Sequence, residues 1–208
     1  MEKVPQTIDH NVKRMIWRIR SAERPVYLDV RPEPFAKAGE CFPSVKEKIQ
    51  RDGGSMQLGW QIWQIPDIMI EAEFHAVWKS PDGELIDITP KKYRIDRILF
   101  VPDCEAGYYG AHRNNKKLNI SGNRLIDDFI EICDARYRLL NKGGRTYEDT
   151  VILSEEECEV HQMLSYSRSL VSTMVVRGAT RNSPCVCRSG KEYRHCHGSI
   201  LVDLLDMA

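Results

Sequence analysis

The stretch Phe74-His75-Ala76-Val77-Trp78-Lys79-Ser80-Pro81-Asp82-Gly83-Glu84-Leu85-Ile86-Asp87-Ile88-Thr89 decides the fold. Two β-rich runs flank Pro81-Asp82-Gly83, which reads as a three-residue hairpin loop with Gly83 in the left-handed conformation. Ser80 then faces Glu84, Val77 lies opposite Asp87 and His75 opposite Thr89. His75 and Asp87 become diagonal neighbours on one face, within reach of each other's side chains. A two- or four-residue loop would place them on opposite faces, because side-chain direction alternates along a strand.

Working outward, the run from Gln57 to Thr89 is rich in Ile, Val, Trp and Phe, and predicts strands over Gly59–Ile65, Met69–Lys79 and Glu84–Ile88, with another near Arg94–Val101. Upstream, Ile8, Val12, Met15, Ile16 and Ile19 recur at helical spacing and predict a helix over about Thr7–Ser21, followed by a strand at Val26–Val30. Phe42-Pro43-Ser44-Val45-Lys46-Glu47-Lys48-Ile49 reads as a helix with Pro43 in its first turn, which puts Cys41 at the helix start. Downstream, residues 102–119 read as an exposed loop carrying the basic run His112-Arg113-Asn114-Asn115-Lys116-Lys117, to which no function is assigned. Arg124–Asn141 and Ser154–Val176 read as long helices, the second opened by a Ser154/Glu157 capping box. Cys133 is expected in the core. The fold class is α+β, an antiparallel sheet with a Cys-bearing helix, expected over 1–120, then a helical extension over 121–178 and a small C-terminal zinc module over 179–208.

Cys41, His75 and Asp87 stand in chain order, 34 and 12 residues apart. A helix N-terminus favours a thiolate, an imidazole can take its proton, and a carboxylate can fix the ring's tautomer. The block from Gly39-Glu40-Cys41-Phe42 through Gly59-Trp60-Gln61-Ile62-Trp63 and Phe74-His75-Ala76-Val77-Trp78 to Gly83-Glu84-Leu85-Ile86-Asp87-Ile88-Thr89-Pro90 resembles the core of the transglutaminase-like, papain-like superfamily. The resemblance implies acyl transfer through a Cys41 thioester, with His75 as base then acid and Asp87 as orienter, on an amide, isopeptide or ester. It supplies no matching oxyanion-hole residue; the Cys41 backbone N–H is the obvious donor. Trp60, Trp63 and Trp78 are expected in the core, with one free to wall the cleft. Glu71, Glu73 and His75 share a strand face, which reads as an ion-paired edge rather than a second metal site.

The C-terminal run Cys185-Val186-Cys187-Arg188-Ser189-Gly190-Lys191-Glu192-Tyr193-Arg194-His195-Cys196-His197 offers four soft ligands around a turn-like centre, the demand of structural zinc. So small and polar a segment needs metal to fold. Lys191, Arg194 and Arg181 are expected to offset the charge of three thiolates. Residues 183–198 resemble the SEC-C motif, the zinc-binding tail of SecA-type proteins, with the pattern Cys-x-Cys, Ser-Gly-Lys, an aromatic residue and Cys-His-Gly. The resemblance implies Cys185, Cys187, Cys196 and His197 as ligands, with His195 the outside candidate. It departs at Val186 and Arg188, where such tails commonly carry Pro and Gly, and this bears on the turn geometry. From Arg177 to His197 five Lys or Arg stand against one Glu, so the module reads as a mildly basic docking knob.

Of 208 residues, 42% are hydrophobic and 29% charged, which excludes a disordered or fibrous chain. Thirty Lys plus Arg balance thirty Asp plus Glu, so no global field points to nucleic acid or a membrane surface. No apolar run approaches the length of a membrane span and no export signal is legible at Met1-Glu2-Lys3-Val4-Pro5, so a cytoplasmic protein is expected. Two functions follow: a cysteine hydrolase or acyltransferase whose zinc module docks a protein or ribonucleoprotein, or a non-enzymatic adaptor in which that module is the working surface. They part on whether Cys41 and His75 approach each other in an open cleft; a buried Cys41 would sink the enzyme reading.

Overall fold

In the computed structural model, which describes residues 2–110, 113–142 and 151–208, helix α1 (His10–Ile19) starts where Asp9 accepts from the Val12 N–H at 2.8 Å. That bond satisfies one of the first-turn donors and sets the start three residues later than the apolar spacing suggested. The chain divides into two units, Met1–Tyr108 with Asn115–Leu118, and Tyr109–Asn114 with Asn119–Ala208.

The first unit is built on an antiparallel sheet. After α1 come β1 (Val26–Asp29), α2 (Cys41–Asp52), β2 (Ser55–Ile65), β3 (Met69–Lys79), β4 (Leu85–Ile86), β5 (Arg97–Pro102) and β6 (Lys116–Asn119). The order is β1-β5-β2-β3-β4, with β6 also on β3. The strand β6 corrects the reading of 102–119 as loop throughout; its half-buried residues add to the β3 edge, which no pattern in so polar a run announces. His112 of the basic run lies outside the described residues.

The hairpin register is the expected one. Trp78 pairs with Ile86 and Lys79 with Leu85, while the Ser80 N–H donates to the Glu84 carbonyl at 2.9 Å and Gly83 sits at φ 90°. Beyond Ile86 the strand leaves β3, which is why β4 is shorter than predicted: Asp87 bridges Val30 in parallel, and its N–H donates to the Asp29 carbonyl at 3.0 Å. The sheet therefore curls until its outer strands meet. Leu28, Val77, Ile98 and Phe100 fill the inner face, with Val26, Val30 and Leu85 packed against them. On the opposite face of β3, Phe42 of α2 meets Phe74 at a ring distance of 5.8 Å, and the Trp78 Nε1–H donates to the Gly53 carbonyl at 2.9 Å.

The second unit holds α3 (Arg124–Leu140), α4 (Glu155–Val176) and α5 (His197–Asp206), with a 3-10 turn at Tyr193–His195. The Ser154/Glu157 capping box is present with both bonds made. Leu125, Ile132, Ala135, Leu139, Val160, Leu164, Cys185, Tyr193 and Leu201 share one core, so the cysteine-rich tail packs onto the helices. Cys133 is half-buried, outside the core where it was expected. No helix among the described residues is long and apolar enough to cross a membrane.

Gly59, at the middle of β2 and opposite His75, has no room for a side chain: a Cβ there would stand 2.4 Å from the Val101 carbonyl and 2.5 Å from the Phe100 ring. Backbone cannot yield as a flexible side chain does, so Gly59→Ala is expected to cost about 1–3 kcal/mol, measured by urea unfolding. An unchanged midpoint would mean that the Phe100 ring does not lie over this strand.

Candidate functional site

In the second unit, Cys185, Cys187, Cys196 and His197 bring one ligand atom each to within 4.8 Å of one another. The turn that gathers them is closed by Cys185 N–H donating to the Lys191 carbonyl at 2.9 Å, by the Pro184–Glu192 bridge, and by Cys196 N–H donating to the Tyr193 carbonyl at 2.9 Å. His197 then opens α5, so the last two ligands sit at a helix start. The Sγ atoms of Cys187 and Cys196 lie 3.5 Å apart, and His197 Nδ1 lies 3.3 Å from Cys185 and 3.4 Å from Cys196. A tetrahedral zinc, with bonds of about 2.3 Å to sulfur and about 2.0 Å to nitrogen, sets ligand–ligand edges of about 3.5–3.8 Å. The donor set fits that ion in type and in spacing.

His195 is outside the cluster, its side chain 67% exposed and 4.0 Å from Glu192. Arg181 does not offset the thiolates. Its Nε donates to Asp128 Oδ2 at 2.8 Å, and a second guanidinium nitrogen reaches the other carboxylate oxygen. Asp128 is buried on α3 and also bonds Tyr193, whose hydroxyl is pushed up mainly by burial. The arginine thus ties the tail to the helices rather than to the metal. Arg188 takes φ 65°, the left-handed region, at a position where the motif commonly has Gly.

Residues 181–199 match the SEC-C motif. The Cys185, Cys187, Cys196, His197 cluster is accordingly a structural zinc site. A stretch of 48 residues is 38% identical to the protein translocase subunit SecA of Buchnera aphidicola subsp. Schizaphis graminum (strain Sg), covering 23% of this chain and 5% of SecA. The chain therefore spans a small fraction of that relative. No solved structure matches.

In the first unit, the predicted trio falls into one neighbourhood. His75 Nε2 lies 3.1 Å from Asp87 Oδ2, both groups buried, and Asp87 Oδ1 accepts from the Thr89 N–H at 3.0 Å. Cys41 is the first residue of α2, and the preceding Glu40 makes no side-chain bond to the first turn. Cys41 and His75 line the same cavity of about 230 Å³, together with Trp63, Glu73, Thr89 and Lys91. Cys41 is buried, 7% exposed, which is the outcome set against the enzyme reading, although the residue borders that cavity. Trp63 is the tryptophan that walls the cleft, its Nε1–H donating to Glu73 at 2.7 Å. Glu71 pairs with Asn115 and Lys117, as expected of an ion-paired edge.

Lys91 was not singled out in the sequence. Its Nζ lies 2.6 Å from Asp87 Oδ2 and 2.9 Å from Gln61 Oε1, with the side chain 9% exposed. The electrostatics follow from these contacts. Burial and the Lys91 charge pull the His75 imidazole down, and Asp87 with the Cys41 sulfur outweighs them, raising it to about 9. Burial alone would raise Asp87, and the charges of His75 and Lys91 hold it well below the usual carboxylate range.

Two outcomes are expected at the zinc site. Removing zinc with a chelator, or Cys196→Ala, should strip the metal and speed amide exchange around Tyr193 and Leu201; a metal-free chain with unchanged protection would contradict it. Arg188→Gly should keep one zinc per chain and stabilise the unit by about 1 kcal/mol, the left-handed cost relieved less the added unfolded-state freedom, read by chemical denaturation. A loss of stability would show that the Arg188 side chain matters more than its backbone.

Proposed function

We propose that the first unit is a cysteine-dependent acyl-transfer or hydrolase centre of transglutaminase-like or papain-like build, working through a Cys41 thioester on an amide, isopeptide or ester. The observation that carries the reading is the buried His75–Asp87 bond at 3.1 Å beside a cavity that Cys41 shares. With Nε2–H donated to Asp87, the Nδ1 lone pair is the one left to serve the thiol. Cys41 sulfur attacks the carbonyl carbon, the oxyanion takes the backbone N–H at the start of α2, and His75 gives its proton to the departing amine or alcohol. Water or an acceptor amine then attacks the thioester while His75 takes back a proton, releasing the acid or the new amide and restoring the Cys41–His75 pair.

In this proposal the zinc module docks a protein or ribonucleoprotein partner, a role supported by its similarity to a protein translocase subunit and by its basic composition. A second reading, the non-enzymatic adaptor, is favoured by the low exposure of Cys41.

Site-resolved alkylation of Cys41 against pH separates the two. An imidazole raised to about 9 is protonated at neutral pH, and a Cys41 that works as a pair with it should be alkylated faster in the native chain than without His75. In His75→Ala the labelling rate at neutral pH should fall by about tenfold or more. Labelling indifferent to His75 would establish Cys41 as a structural cysteine and leave the zinc module as the working surface.

A further inference from the structure

We propose that Lys91 is a positioning residue of the Cys41–His75–Asp87 centre, a buried cation that holds Asp87 and limits how strongly the carboxylate grips the His75 proton. The inference rests on the acyl-transfer reading of that centre and adds a member no family pattern supplies.

The geometry is specific. Lys91 Nζ is closer to Asp87 Oδ2, at 2.6 Å, than His75 Nε2 is, at 3.1 Å, and the two compete for the same oxygen. Lys91 Nζ also lies 3.3 Å from His75 Nε2. An ammonium has only donors, so it cannot bond an Nε2 that carries hydrogen; the pair are like neighbours sharing one carboxylate. Gln61, itself fully buried on the inner face of β2, accepts from Nζ at 2.9 Å and holds the ammonium in place. Among the described residues the Gln61 side-chain nitrogen has no hydrogen-bond partner, a cost accepted where the amide oxygen is needed by the cation.

The chemical need is plain. A general base must release its proton as well as take it, and an imidazole paired with a buried carboxylate alone is held protonated. A cation on the same oxygen withdraws part of that field and repels the imidazolium directly. The other charged or titratable groups around His75 are Cys41 at the start of α2, Glu73 on β3, and Glu2, Lys92 and Tyr93 along the cavity. Of the charged partners, only Asp87 and Lys91 contact the His75 ring at hydrogen-bond distance among the described residues.

The test is the His75 titration, followed by ring-proton NMR in the full-length zinc-loaded chain, with Lys91→Gln and Lys91→Arg. Loss of the charge in Lys91→Gln should raise the His75 midpoint by about one unit or more, while Lys91→Arg should stay close to the native value. Equal shifts in both variants, or none in either, would overturn the proposal, because packing alone or no coupling would then be at work. Should Lys91→Gln fail to fold, the native chain decides: a slowly exchanging Lys91 ammonium signal with a cross-peak to the His75 ring is expected, and a bulk-exchanging ammonium without one overturns it. Failure of the acyl-transfer reading is distinguishable, since it would appear as Cys41 alkylation indifferent to His75→Ala while the Lys91 effect on the His75 midpoint persisted.

Discussion

Everything at the centre of the first unit depends on the register of the β3–β4 hairpin. A three-residue turn at Pro81-Asp82-Gly83 pairs Trp78 with Ile86, and that parity sends His75 and Asp87 to the same inner face. One residue more or less in the turn would turn Asp87 outward, and the buried carboxylate, its bond to His75 and its bond to Lys91 would all be lost together. The same segment then leaves β3 to meet Val30, closing the sheet and bringing the loop that precedes Cys41 alongside. The Glu33 N–H in that loop donates to the Ile88 carbonyl at 3.1 Å and the Glu33 carboxylate pairs with Lys48 of α2, so the helix is tethered to the segment that carries Asp87.

The second unit solves a different problem. Its tail has little apolar surface of its own, and it is held by a metal, by the Tyr193 ring in the helical core, and by Arg181 reaching a buried Asp128. A charge buried with an excellent partner is safe only while both are present, so this pair and the metal constrain the same short segment from two sides. The left-handed Arg188 marks where that constraint is met by a residue poorly suited to it.

Local chemistry was legible in the sequence, and contacts across sequence distance were not. The Gly83 turn, Cys41 at a helix start, the bounds of Met69–Lys79 and the Ser154 capping box all follow from neighbours a few residues away, and all are present. The four zinc ligands were readable because their spacing is itself the signal. Lys91 was missed because Pro90-Lys91-Lys92 reads as an ordinary basic loop, and nothing local says that one of its amines points inward to Asp87 and Gln61. Arg181 was assigned to the thiolates as the nearest anions in sequence, whereas its partner lies 53 residues away on α3. The strand β6 escaped for the same reason: its order comes from the β3 edge, not from its own polar residues.

The central claim is that Cys41 and His75 act as one pair, and the most direct measurement is the His75 titration in the native chain beside Cys41→Ser. If the sulfur's charge supports the imidazolium, the native midpoint should stand near 9 and fall when the thiol is replaced. A midpoint near the ordinary value of about 6.5 that ignores Cys41→Ser would contradict the account and leave His75 a satisfied core residue.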